Sequence, residues 1–175
     1  MRHVLMLRGI NLGPSRRVPM ADLRALLHHA GYAGVRTYVQ SGNVVLDATE
    51  EPAALQAAAG RLISDRFGFA VPVIARSRDE LAAVVALNPL GEVAVDPKRY
   101  QVSFLSAAPP AEAVARLRAA AAGEEQVVAH GRELYAWHPD GVGRSKLAMA
   151  MADKRLGATA RNWTTVTTLL AMADE

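Results

Sequence analysis

The first 76 residues alternate between short apolar segments and helical stripes, and this order constrains the fold more than any other feature of the sequence. Strands are predicted where several apolar, mostly β-branched residues follow one another, and helices where apolar residues recur every three or four positions. One helix is predicted to begin at Pro19, and a second is marked by Leu55, Ala59 and Leu62. The strands are predicted at residues 4–7, 35–39, 44–46 and 71–74.

The resulting order is strand, helix, strand, strand, helix, strand, which is the ferredoxin-like or split βαβ order. Pro72 has no N–H to donate to a β-ladder and therefore belongs on an edge strand. In the ferredoxin-like order the last strand lies at an edge of the sheet. We therefore predict a ferredoxin-like subdomain over residues 1–76, with a tight hairpin turn at residues 40–43.

The second half, residues 77–175, predicts a related but shorter pattern, βαββα, preceded by a helix capped by Ser77. A helix stands where the fourth strand would be, and a last helix begins near Trp163. The predicted class is α+β, with two ferredoxin-like (βαββαβ-type) subdomains, the second incomplete and closed by a C-terminal helix. We expect one compact unit. The predicted strands are residues 100–106, 126–130 and 133–138, and the predicted helices are residues 79–87, 109–122 and 145–156.

Composition excludes several classes of protein. Apolar residues make up 51% of the 175 residues, which is enough for a core, and the chain has no cysteine. Disulfides, thiolate catalysis and cysteine-ligated metal sites are therefore excluded. No apolar run approaches the roughly 20 residues of a membrane-spanning helix. We expect a cytoplasmic protein that makes no membrane contact.

Basic charge is concentrated at the beginning of the chain. Residues 1–48 contain six arginines against the two carboxylates of Asp22 and Asp47. An excess of this kind is compatible with anionic partners, although it is too small to require nucleic acid.

Four stretches contain more Gly, Asn, Arg and Lys than turns require. In the first, residues 8–17, glycines let backbone N–H groups approach a ligand, and arginines can bind phosphate or carboxylate. In the second, residues 40–43, two side-chain amides can bind a base, a peptide or a sugar. The third, residues 141–146, places two glycines before a serine that can cap a helix, between two basic residues. The fourth begins at Arg161. The candidate ligand-binding residues are Arg8, Asn11, Arg17, Gln40, Asn43, Arg144, Ser145, Lys146 and Asn162.

Other chemistries find no support in the sequence. The five histidines form neither H-x-H nor H-E-x-x-H, so we predict no metal site. Neither a dinucleotide fingerprint nor a P-loop is present, and we predict no cofactor. There is no nucleophile elbow and no evident Ser–His–Asp set. No residue stands out as a general base, so the sequence leaves open whether the protein is an enzyme.

The four stretches together resemble a bacterial family of unknown function, DUF1697. The resemblance rests on Leu-Arg-Gly-Ile-Asn-Leu-Gly at residues 7–13, Val-Pro-Met at 18–20, Gln-Ser-Gly-Asn-Val-Val at 40–45, Gly-Arg-Ser-Lys-Leu at 143–147 and Arg-Asn-Trp at 161–163. This chain has Pro14 where the family usually has a second glycine. The resemblance implies an α+β fold with ferredoxin-like subdomains, and it implies no activity.

Two functions and a structural alternative follow. In the first, a small phosphorylated or nucleotide-like anion binds in a cleft between the two subdomains, which the candidate residues line. In the second, the chain is an RNA-binding or regulatory module without catalysis. The predicted central strands of the first subdomain carry no aromatic residue for base stacking, which counts against the second. In the third, the polar stretches serve only as turns and caps.

Overall fold

We describe all 175 residues in a computed structural model. The protein is α+β, with two four-stranded antiparallel sheets and six helices. Contacts divide the chain into two units, one of Met1–Ala83 with Thr168–Glu175 and the other of Val84–Thr167. The strands are β1 (Arg2–Leu7), β2 (Ala33–Tyr38), β3 (Asn43–Asp47), β4 (Val73–Ser77), β5 (Tyr100–Phe104), β6 (Gln126–His130), β7 (Glu133–Trp137) and β8 (Thr159–Asn162). The helices are α1 (Met20–His29), α2 (Pro52–Phe67), α3 (Arg78–Leu87), α4 (Ala111–Ala120), α5 (Lys146–Met151) and α6 (Trp163–Asp174).

The sheet of the first unit has the strand order β2-β3-β1-β4, with every pair antiparallel. The element order β1-α1-β2-β3-α2-β4 is the predicted one. β4 is an edge strand, as predicted, and Pro72 immediately precedes it. The carbonyl of Pro72 accepts a hydrogen bond from the N–H of Arg8, so the end of β1 is held to the start of β4.

The core of the first unit lies between its sheet and helices α1 and α2. Alternate residues of β1 and β3 point to this side, because side chains alternate across a strand. They meet the apolar stripes of the two helices, and all of these side chains are buried. The main members are Leu5, Leu7, Val44, Leu46, Leu23, Leu27, Leu55 and Ile63. The pattern of the sequence thus predicts this core well.

Ser77 and Glu80 form a capping box at the start of α3. The Ser77 hydroxyl accepts a hydrogen bond from the N–H of Glu80 at 3.1 Å. The Glu80 carboxylate in turn accepts one from the N–H of Ser77 at 2.9 Å. Each side chain therefore satisfies a donor that a helix start leaves without an intrahelical partner, and the predicted cap is confirmed.

The second unit corrects the prediction of an incomplete sheet. Its strand order is β6-β7-β5-β8, so a fourth strand, Thr159–Asn162, is present where none was predicted. β8 has four residues, only one of them β-branched, and it lies at the sheet edge paired with β5. Such a segment carries little local signal, because it becomes a strand only through pairing with its neighbour.

Helix α5 is also shorter than predicted. It ends at Met151 rather than continuing to residue 156. The carboxylate of Asp153 accepts a hydrogen bond from the N–H of Arg155 at 2.9 Å, forming a local turn that competes with further helix. Leu147 and Met151 nevertheless reach the core of this unit, where they pack with Leu117 and Leu134.

Candidate functional site

The loop after β1, residues 8–18, is held in shape by the side chain of Asn11. Its Nδ2 donates to the carbonyl of Val18 at 2.9 Å, and its Oδ1 accepts from the N–H of Val18 at 2.9 Å. Nδ2 also donates to the carbonyl of Gln40 at 2.8 Å. Asn11 has a φ of 55°, a left-handed conformation that asparagine tolerates better than most residues. The Asn11 side chain therefore closes the loop and joins it to the turn between β2 and β3.

Arg16 closes the same loop from its other side. Its Nε donates to the carbonyl of Gly9 at 2.8 Å, and its Nη2 donates to the carbonyl of Ala70 at 2.7 Å. The guanidinium also lies 4.8 Å from the centroid of the Phe69 ring, at cation–π distance. Arg16 therefore has a structural role in this loop. From the sequence alone, an arginine in this basic stretch could equally have been a ligand-binding residue.

In the β2–β3 turn, the side-chain amide of Asn43 has a structural role. Asn43 is fully buried, and its Nδ2 donates to the carbonyl of Tyr38 and to the hydroxyl of Ser41, both at 3.0 Å. Gly42 has a φ of 84°, and its carbonyl accepts from the N–H of Leu7. A Cβ at Gly42 would lie 2.7 Å from the Cβ of Leu7, so only glycine fits. Gln40, in contrast, has an exposed side chain.

Arg8 and Arg17 are the two arginines of the loop whose side chains remain available. Neither guanidinium forms a hydrogen bond or an ion pair within the protein. Arg8 is half-buried beside Gly9, and Arg17 is exposed beside Arg16. The side chain of Arg16 bonds the carbonyl of Gly9, so a hydrogen bond links the two segments of the loop that carry these cations. The structure thus brings five predicted residues, Arg8, Asn11, Arg17, Gln40 and Asn43, into one loop-and-turn assembly.

In the second unit, Arg144 and Lys146 are exposed on either side of the buried Ser145. The Ser145 hydroxyl accepts from the N–H of Ala148 at 2.9 Å and caps α5, as its predicted position before a helix requires. Nδ1 of His138 lies 2.9 Å from the same hydroxyl. Ser145 therefore has its hydrogen bonds within the protein, whereas its two basic neighbours have side chains without a protein partner.

Glu125, His138 and Ser145 form a cluster that sequence reasoning missed, because the three residues come from separate segments of the chain. The Glu125 carboxylate lies 3.8 Å from Nδ1 of His138. Burial lowers the pKa of His138, and the nearby Glu125 carboxylate opposes this shift without cancelling it. The histidine is therefore neutral at physiological pH.

The Glu125–His138–Ser145 cluster does not have the geometry of a catalytic triad. In a triad, the serine and the carboxylate contact opposite ring nitrogens, so that one nitrogen accepts the serine proton while the carboxylate orients the ring through the other. Here both lie on the Nδ1 side of the ring, Ser145 at 2.9 Å and Glu125 at 3.8 Å, while Nε2 is buried with no hydrogen-bond partner. The cluster therefore stabilises the start of α5.

Asn162 lies at the junction of β8 and α6. Its Oδ1 accepts a hydrogen bond from the N–H of Thr165 at 2.9 Å, which is the contact of a helix N-cap. The next residue, Trp163, stacks on Tyr100 with ring centroids 4.7 Å apart. Asn162 thus has a structural role in the second unit. That it shares one site with the candidates of the first unit stays a prediction.

Aromatic side chains do occur on the central strands of the second unit, but none forms an open platform. Tyr100, Phe104, Tyr135 and Trp137 are all buried. Burial raises the pKa of Tyr100 to about 12, and the Tyr100 hydroxyl contacts the N–H of Leu90. Because RNA-recognition sheets stack bases on exposed aromatics, these buried rings offer no support for base stacking.

Comparison with known proteins places the chain in a family. A family model described as "Protein of unknown function (DUF1697)" matches residues 1–135, most of the chain. The protein belongs to the DUF1697 family. The match includes the residues of the loop after β1 and of the β2–β3 turn, and it confirms the family resemblance of the sequence motifs.

A solved structure has the same fold as this DUF1697 protein. It is described as that of the conserved bacterial protein SP0830 from Streptococcus pneumoniae, and it is 20% identical in sequence. The TM-score is 0.79, and the match covers 98% of each chain. A comparison with curated proteins finds no match. The structure contains no helix that could span a membrane.

Proposed function

We propose that this DUF1697 protein binds a small phosphorylated or nucleotide-like anion at the loop after β1, through Arg8 and Arg17. The proposal rests on a difference among the three arginines of the loop: one is hydrogen-bonded within the protein, and two are not. Arg16 is committed to backbone carbonyls, whereas the guanidiniums of Arg8 and Arg17 have no protein partner. A loop held in shape on both sides thus presents two unpaired cations.

The chemistry of arginine favours phosphate as the bound group. A guanidinium presents its N–H donors in a planar fork that can bond two phosphate oxygens at once. Because Asn11 and Arg16 already hold the loop backbone, less conformational entropy is lost on binding than for a flexible loop. The exposed amide of Gln40, whose carbonyl Asn11 holds, can contact a neutral part of the ligand.

The loop lacks the features of a backbone phosphate nest. Pro14 has no N–H to donate, and the N–H of Asn11 already donates to the carbonyl of Arg16. Side-chain guanidiniums therefore supply the binding energy in this proposal. Residues 8–18 contain no carboxylate and no histidine, so the proposal concerns binding and names no reaction.

Arg144 and Lys146 are a second pair of available cations, and we propose that they contact the same class of ligand. They flank Ser145, whose burial and capping role hold the backbone between them. Their contribution is tested by separate variants, so the proposal for the first unit does not depend on it.

We also infer that each unit is a ferredoxin-like fold, since both follow the order βαββαβ with equivalent strand neighbours.

Binding of inorganic phosphate, pyrophosphate and a nucleoside diphosphate, measured by titration calorimetry, tests the proposal. We expect affinities in the millimolar to micromolar range that weaken with salt. The double variant Arg8→Ala/Arg17→Ala should weaken the best of these ligands about tenfold or more. The matched control is Arg61→Ala, which removes an exposed arginine of α2 in the same unit and should change affinity less than about twofold.

The same variants decide between the proposed functions. If the folded wild type binds none of the three anions, or if the double variant binds them as the wild type does, the proposal is wrong. A single-stranded RNA oligomer is titrated in parallel by fluorescence anisotropy. Tighter binding of RNA than of pyrophosphate, lost in the double variant, would replace the small anion with RNA as the ligand.

A further inference from the structure

A pocket of about 530 Å³ lies within the second unit, and none of the candidate ligand-binding residues lines it. One wall is α4, and a second is the loop from Leu105 to Pro110 that follows β5. The third runs from Ala150, near the end of α5, to Gly157. Its volume falls within the roughly 300–1,000 Å³ typical of small-molecule sites. All three walls belong to one unit, so the pocket is a feature of that unit's own fold.

The lining of the pocket is mainly apolar. Leu105 and Leu117 are each 4% exposed and belong to the core of the unit, and Leu156 packs against the same core. Pro109 and Pro110 also line the pocket, and their fixed φ angles keep the loop stiff. A stiff apolar cavity suits the hydrophobic body of a small organic molecule, because little of the protein must be ordered on binding.

Three charged side chains line the pocket, and two of them neutralise each other. Asp153 and Arg155 form an ion pair in which Nη2 of Arg155 lies 2.6 Å from a carboxylate oxygen. The hydrogen bonds from Arg155 lower the pKa of Asp153 to about 2, with a smaller contribution from the charge of Arg116. Asp153 is therefore ionised at neutral pH, and its charge offsets that of Arg155.

Arg116 is the third charged residue of the pocket. It extends from α4 into the lining of the pocket, and its guanidinium forms no hydrogen bond or ion pair within the protein. The pocket as a whole therefore combines an apolar interior with one uncompensated positive charge. A neutral ligand would leave that charge unmatched, and a highly charged ligand would meet the carboxylate of Asp153.

We propose that this pocket binds a small amphipathic monoanion, an organic molecule with an apolar ring or chain and one carboxylate, sulfonate or phosphate group. The apolar body packs against Leu105, Leu117 and Leu156, and the anionic group pairs with Arg116. The site is distinct from the phosphate site proposed at Arg8 and Arg17. The two are separable because inorganic phosphate has no apolar body to bind here.

Two fluorescent probes test the proposal. Anilinonaphthalene sulfonate has an aromatic body and one sulfonate, and phenylnaphthylamine has the same body without the charge. We expect saturable binding of the sulfonate probe at one site per chain, and weaker binding of the neutral probe. Arg116→Ala should weaken the sulfonate probe about tenfold and change the neutral probe less than about twofold. Arg118→Ala removes an exposed arginine of the same helix outside the pocket and should affect neither.

Variants that fill the pocket locate the binding site. Ala113→Phe on α4 and Ala107→Phe on the exposed loop should each abolish binding of both probes, while circular dichroism and thermal unfolding show the native fold. The loop variant keeps the test valid if Ala113→Phe fails to fold. Absence of saturable binding to the folded wild type would overturn the proposal. Unchanged probe binding in a folded filling variant, or equal weakening of both probes by Arg116→Ala, would also overturn it.

Discussion

Nδ1 of His138 lies 2.9 Å from the hydroxyl of Ser145, and through this contact a buried imidazole supports the cap of helix α5. Nε2 of the same ring is buried without a partner. Protonation would place a positive charge on a ring that burial shields from water. Although Glu125 lies nearby, its carboxylate does not fully compensate for this loss of solvation.

Stability should therefore fall on mild acidification. Burial lowers the pKa of His138 below its ordinary value of 6.5, and burial followed by the N-terminal amino group lowers that of His3. The unfolded chain thus binds more protons than the native chain once the pH drops through about 6.5. The free energy of unfolding should be at its full value above that pH and decrease toward the folded-state pKa values. Urea unfolding between about pH 7.5 and about pH 5, above the range of most carboxylates, measures this decrease.

The variant His138→Gln separates the two histidines. It should reduce the slope of unfolding free energy against pH and leave the part that is due to His3. A slope equal to that of the wild type would show that His138 is not a source of the pH dependence.

Asn11→Ala should cost about 2–3 kcal/mol of unfolding free energy. The change removes the hydrogen bonds to the backbone of Val18 and Gln40, and it places alanine at a positive φ. Asn11→Asp keeps the acceptor for the N–H of Val18 and should lie between alanine and wild type. Urea unfolding of the three proteins checks the order, and equal losses for alanine and aspartate would contradict it.

Asn162→Ala should destabilise the protein by about 1 kcal/mol, because Asn162 caps α6 through the N–H of Thr165. Lys146→Ala, at an exposed residue without a protein partner, should change stability by less than about 0.5 kcal/mol. In calorimetric titration the same Lys146 variant should bind phosphate-bearing ligands more weakly. Equal loss of stability in both variants, with unchanged phosphate binding, would assign Lys146 a purely structural role.

Val39→Asn should raise stability by about 1 kcal/mol. Val39 has a φ of 51°, which strains a β-branched residue, and its half-exposed side chain contributes little packing that asparagine would lose. Thermal unfolding checks the sign. The neighbouring variant Gly42→Ala is the control for the turn and should destabilise it, because the new Cβ would meet the Cβ of Leu7 at 2.7 Å.

The first unit could be predicted from sequence because its signals are local. β1 and β3 are runs of apolar residues, α1 and α2 carry apolar stripes, and the Ser77–Glu80 cap lies within four residues of chain. Each of these patterns indicates the backbone conformation that its own segment prefers. The element order and the edge position of β4 followed from combining them.

The features that were not predicted depend on contacts between residues that are distant in sequence. β8 is a strand because β5 offers it a free edge, and His138 meets Glu125 and Ser145 because three segments converge. The neighbouring residues Arg16 and Arg17 also differ only through their distant partners. Nothing in the sequence distinguishes Arg16 from Arg17, yet one bonds the carbonyls of Gly9 and Ala70 while the other has no protein partner. Local preference acts within a few residues, so most of the helices and strands could be predicted from the sequence alone. Long-range packing sets which polar side chains hold the fold and which remain available to a ligand, because a hydrogen bond depends on where its distant acceptor lies.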